Sequence, residues 1–167
     1  DGLTLREAIE VVNGVLPLAR LSPAEQAQVN PLEANTSSVI SFNLPTSDPI
    51  RLVDVLPAIA TPGLIINGAS QPGYDANQSA TAEIEIPIPV VAITPAEGAE
   101  VFRGLTIVAD NVTVRGLSLY GFTASHRATE TTPPADIFIA HRLPPPDTSQ
   151  QRSPAAYFPF YDENTPP

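Results

Sequence analysis

The chain has 167 residues, 43% of them hydrophobic and 16% charged, enough for one folded domain with a real core rather than a disordered segment. Its formal net charge is −10 and its eight basic residues, all Arg, are thinly spread, which argues against a phosphate-tracking nucleic-acid surface or attraction to anionic membranes. The absence of Cys removes disulfides, thiolate catalysis and Cys metal sites together, and no apolar run approaches the roughly 18 residues that would mark a membrane-spanning helix.

Residues 4–13 carry the clearest helix signal. Thr4 and Glu7 form a T-x-x-E capping box, Leu5, Ala8, Ile9 and Val12 line one apolar stripe, and Asn13-Gly14 supplies the stop. A second short helix is predicted from Ser22-Pro23-Ala24-Glu25 to about Val29, with Pro at its first position.

Beyond it the periodicity changes. Val39-Ile40-Ser41-Phe42, Leu64-Ile65-Ile66, Ile84-Glu85-Ile86, Val90-Val91-Ala92-Ile93, Leu105-Thr106-Ile107, Val112-Thr113-Val114, Leu117-Ser118-Leu119 and Ile137-Phe138-Ile139 read as short strands bounded by turn formers. No helical pattern separates them, which argues against βαβ units; a sandwich or barrel of hairpins stays open. The intervals from Ile40 to Leu64, Leu64 to Val91 and Val91 to Val112 are 24, 27 and 21 residues. Recurrence at roughly 20–30 residues is the mark of a solenoid, whose coils bury their apolar faces against one another. In "RGLTIVADNVTVRGLSLYGF" (103–122), three short strands broken at Ala109-Asp110-Asn111 and Arg115-Gly116 would trace the sides of one coil, with Asn111 in a left-handed turn.

Three Pro-rich stretches fit no regular coil: 45–62, 131–134 and 141–167. The last reads as an extended arm whose Tyr157, Phe158, Phe160 and Tyr161 need an apolar surface, and these four are the expected partner contacts. Ending on "DENTPP" and starting without Met, the chain reads as an N-terminal piece of a larger protein.

"LTLREAI" (3–9) resembles the C-[ST]-L-R-E-A-I signature at the start of many bacterial secreted right-handed parallel β-helix proteins. "ISFNL" (40–44), "LIINGASQPGY" (64–74) and "VTVRGLSLYGF" (112–122) are similar to the strands that follow it there, so the resemblance spans about the first 122 residues. Leu3 stands where the signature has cysteine, so any role of that thiol is missing. The Pro-rich, Lys-free composition resembles large cyanobacterial members. The resemblance implies an all-β fold: the start of a right-handed parallel β-helix, with an N-terminal helical cap over its first coil and a Pro-rich C-terminal arm. The expected division is a cap over 1–35, first coils over 36–140 and an arm or linker over 141–167. Leu5, Ala8, Ile9 and Val12 would seal the first coil. Ile40, Phe42, Leu64, Ile66, Val112, Val114, Leu117 and Leu119 would fill its interior.

Chemistry is sparse. His126 and His141 sit in no metal-ligand spacing and read as loop histidines. Of the acids near strands, Asp54, Glu83, Glu85 and Asp110, Asp110 reads as a turn residue, and Glu83 and Glu85 as a solvated strand face. Arg103 and Arg115 lie on the segment where a lyase of this architecture would carry its base, but no acid cluster accompanies them. "PGYDANQS" (72–79) is a turn before it is a calcium site, Glu7 a helix cap, and Arg6 a partner for a carboxylate or for turn carbonyls. Asn35, Asn77 and Asn111 head N-x-[ST] triplets, which have meaning only in a eukaryotic secreted protein. No catalytic, cofactor or metal residue is assigned. The expected function is a structural or adhesion module of a secreted, periplasmic or cell-surface protein, a rigid scaffold and contact surface. Its partner would be the downstream part of the same chain or another protein chain, with polysaccharide a further candidate. The alternative is the N-terminal part of a carbohydrate-active β-helix enzyme, a lyase or hydrolase, with its catalytic coils downstream.

Overall fold

In the computed structural model, which describes residues 2–32, 34, 36–79, 86–123 and 134–140, the first helix, α1 (Leu5–Val12), starts where the capping box predicts. The Glu7 amide donates to Thr4 Oγ1 at 3.2 Å, and Glu7 Oε2 accepts the Thr4 amide at 2.9 Å. Two of the amides left without intrahelical partners are thereby satisfied. Gly14, just past the C-cap Asn13, takes a φ of 72°, which ends the helix at little steric cost. Leu5 and Ile9 are buried, Ile9 completely, while Ala8 and Val12 are half-buried. The second helix, α2 (Pro23–Gln26), has the expected capping box but stops short of Val29. Bonds from Gln28 to Glu25 and from Val29 to Gln26 tighten the chain into three-residue turns there.

The rest is mainly β: β1 (Val39–Ser41), β2 (Ile50–Leu52), β3 (Ile65–Asn67), β4 (Val91–Pro95), β5 (Arg103–Ile107), β6 (Thr113–Arg115), β7 (Leu117–Leu119) and β8 (Ala135–Ile139). They form three sheets with orders β1-β3-β6, β2-β4-β7 and β5-β8. The pairs β1–β3, β3–β6, β2–β4 and β5–β8 are parallel, which excludes for these strands the hairpins that the sequence left open. β2 corrects the reading of 45–62 as irregular. Its Ile50-Arg51-Leu52 lies between Pro49 and Pro57, so no proline interrupts the ladder, and Leu52 turns into the core. Of the expected strand Ile84-Glu85-Ile86, only the exposed Ile86 lies within the described residues.

Two compact units account for the chain. The first comprises Asp1–Asp48, Ile59–Ala92 and Ala109–Ser118. In it Val39, Ile65 and Thr113 stand in register, as do Ile40, Ile66 and Val114. Ile40, Phe42, Ile59, Leu64 and Ile66 are buried; Val112, Val114 and Leu117 are only half-buried. Val114 lies on the edge strand β6, which has a neighbour on one side only. The carbonyl end of α1 is tied down in this unit. Asn13 Oδ1 accepts the Ala60 amide at 3.0 Å, and Thr61 Oγ1 donates to the Val12 carbonyl at 2.9 Å.

The turn after β3 shows why "NGASQ" reads as it does. A Cβ on Gly68 would collide with the Gly116 carbonyl oxygen, and one on Gly116, whose φ is +65°, would lie 2.5 Å from the Ala69 nitrogen. Only glycine permits that approach and that backbone conformation together. Beyond it β3 leaves the ladder, and side chains replace its main chain. Ser70 Oγ accepts the Phe42 amide at 2.7 Å; the Gln71 amide group accepts from the Leu44 nitrogen at 2.7 Å and donates to the Leu44 carbonyl at 3.0 Å.

The second unit comprises Pro49–Ala58, Ile93–Val108 and Leu119–Pro167. Ile50 pairs with Ile93 and Leu52 with Pro95, and the Tyr120 amide donates to the Ile93 carbonyl. Every residue of β5 is buried, with Leu52, Leu56, Ile93, Val101, Phe122 and Phe138 also in this core. Leu119 is half-buried, and on the edge strand β8 Ile137 and Ile139 remain exposed.

Candidate functional site

The one chemically unusual group among the described residues is Arg103, the first residue of β5. Leu105 and Thr106 hold the strand in the core, and Arg103 goes in with them, 3% exposed. Its Cζ lies 3.9 Å from the centroid of the Phe138 ring and 5.2 Å from that of Phe102. The ring faces attract the cation, an interaction worth about 2 kcal/mol when desolvated. Nε and Nη2 are closed to solvent and have no hydrogen-bond partner among the described residues. Loss of hydration pulls the guanidinium down to about 10, so it is still charged at neutral pH.

Arg115, the other arginine of the same sequence stretch, behaves oppositely. Its Nε donates to Asn67 Oδ1 at 2.9 Å across the β3–β6 ladder, and the side chain is exposed. The two arginines belong to different units. Asp54 and Asp110 are both exposed: Asp54 Oδ1 accepts the amide of Val55, and the Asp110 carbonyl accepts that of Gly63. Asn111 has a φ of 59°, the left-handed turn that its side chain tolerates. In 72–79, Asp75 Oδ1 accepts from the Asn77 amide and the Gln78 amide donates to the Asp75 carbonyl, which makes this a self-bonded turn. Glu7 is engaged in its cap.

Among the described residues no group of three or more His, Asp or Glu is placed to hold a metal, and no helix is long and apolar enough to cross a membrane. Glu83, Glu85, His126 and His141 lie outside the described residues, as do all four expected partner contacts, Tyr157, Phe158, Phe160 and Tyr161. The sequence singled out Arg103 as a base without acids; what it missed was the burial. The signal was there in "VFRGLTI", a charge inside an apolar run, beside Phe102.

Comparison of the chain with protein-family models, with curated proteins and with solved structures returned no match. The fold is that of a mainly β protein of short parallel strands with a capped helical segment, and its described residues include one buried arginine with two unpaired donors.

Proposed function

We propose that this chain is a structural or adhesion-type module of a secreted or cell-surface protein, built as the capped beginning of a right-handed parallel β-helix. One observation carries the reading. In chain order the eight strands fall into the first, second, first, second, third, first, second and third sheets. From β3 onward the chain returns to each sheet in the same cyclic order, adding strands without crossover helices, which is winding in coils. On this reading α1 closes the stack at one end, because an open coil presents unpaired strand edges and apolar side chains that would recruit other chains. The fully buried Ile9 is the residue on which that closure turns.

A stack of this kind acts by geometry: it sets distances and presents the turns that leave its corners. The edge strands β6 and β8 would receive the next coil, supplied by downstream residues of the same chain or by another chain. Beads coated with the protein should be retained on a protein or polysaccharide surface while releasing no new sugar ends from a panel of polysaccharides. Steady release of such ends would reassign the module to a carbohydrate-active enzyme.

A further inference from the structure

We infer that Arg103 is a binding residue for a single carboxylate, taken edge-on by its Nε–H and Nη2–H groups. The identity of the two unpaired atoms carries the inference. Nε–H and the Nη2–H beside it point from the same edge of the guanidinium plane, the fork that matches the two oxygens of a carboxylate. Phe138, at 3.9 Å, and Phe102, at 5.2 Å, lie close enough to interact with the cation through their rings, and neither ring can accept these in-plane hydrogens as a carboxylate can. Donors of a buried cation are normally paired, since leaving them without an acceptor costs more than any neutral orphan. Here both donors of one edge are shut off from water with no acceptor among the described residues.

A carboxylate fits better than a phosphate, because it brings one charge to one buried cation and lies flat in the guanidinium plane. The other charged groups on described elements of this unit, Arg51, Asp54, Glu97, Glu100 and Asp136, are all exposed. The carboxylate has two sources: an acidic side chain of this polypeptide, or a free or partner-borne acid. The inference is independent of the scaffold reading and would stand if that reading failed.

Nitrogen-15 NMR of the full chain tests it on the unaltered protein, with the Nε–H signal of Arg103 assigned by its loss in Arg103→Lys. A carboxylate from the chain itself predicts a downfield, slowly exchanging signal with no additive, lost as pH falls through the carboxylate range. A free acid predicts a signal that saturates with sodium acetate but not with sodium chloride at equal ionic strength. In both cases pairing should slow solvent exchange of the proton by about tenfold or more, the size expected for a charge-assisted bond. A signal indifferent to acetate and to pH between 3 and 8, or one that acetate and chloride move equally, overturns the assignment.

Discussion

Gln71 in the first unit and Arg103 in the second are both buried polar side chains, and they are bonded in opposite ways. The Gln71 amide group meets both the nitrogen and the carbonyl of Leu44, so it stands in for the main chain that β3 has withdrawn. Arg103 has aromatic rings nearby and two donors with nothing to accept them. The first arrangement is complete and serves the ladder; the second leaves hydrogen-bonding capacity unused inside the described structure. Residual bonding capacity, rather than burial or charge alone, separates a structural polar group from a candidate ligand group.

The hardest way to break the contrast is to force on the first unit what the second tolerates. Ile9→Asp puts an unpaired charge at a fully buried site, and should cost about 3–5 kcal/mol in urea unfolding and produce aggregates on gel filtration. An equally stable, monomeric variant would refute the capping role of α1. Gly116→Ala should cost roughly 3 kcal/mol, combining the strain of a positive φ with a 2.5 Å clash against the Ala69 nitrogen. Its damage, read by amide exchange, should concentrate in β3 and β6. Gln71→Leu keeps much of the volume but strands both polar groups of Leu44, and about 1–3 kcal/mol should be lost. Full stability in that variant would show that water replaces the side chain. The smallest effect is electrostatic. The Ser22 amide, followed by the Ser22 hydroxyl, holds the exposed Glu25 carboxyl below its ordinary 4.5. Because the folded value is the depressed one, this cap stabilises at pH above 4.5 and fades as pH falls below it. NMR titration should find the Glu25 midpoint returning toward 4.5 in Ser22→Ala.

Much of this architecture was legible in the sequence where the controlling interactions are local. Both helix starts follow from side chains three residues apart, and strands such as β3, β5 and β7 follow from apolar-x-apolar triplets between turn formers. The pattern of 103–122 predicts three short strands on the sides of one coil, and β5, β6 and β7 lie in three different sheets. Pairing was less legible. The interval from Leu64 to Val91 suggests one step, whereas Ile65 pairs onward with Thr113, and β4 belongs with β2. Residue counts cannot say which of several similar triplets will meet, because that depends on the turns between them. β2 was hidden by its flanking prolines, though neither interrupts it. The state of Arg103 required Phe138, a residue on another strand, so only the folded chain could bring the two together.

The meeting of Gly68 and Gly116 also bears on how such a protein can change over time. Two main chains touch there without side chains between them, and the bonds of Ser70 and Gln71 follow at once. Adding one residue between Asn67 and Gln71 would displace the contact and both bonds together, so that corner is closed to insertions and deletions. The exposed turn at 75–77 is bonded mainly to itself. Length can be added or exchanged there while the neighbouring strands keep their register, which leaves lineages free to elaborate one stretch of a fixed frame.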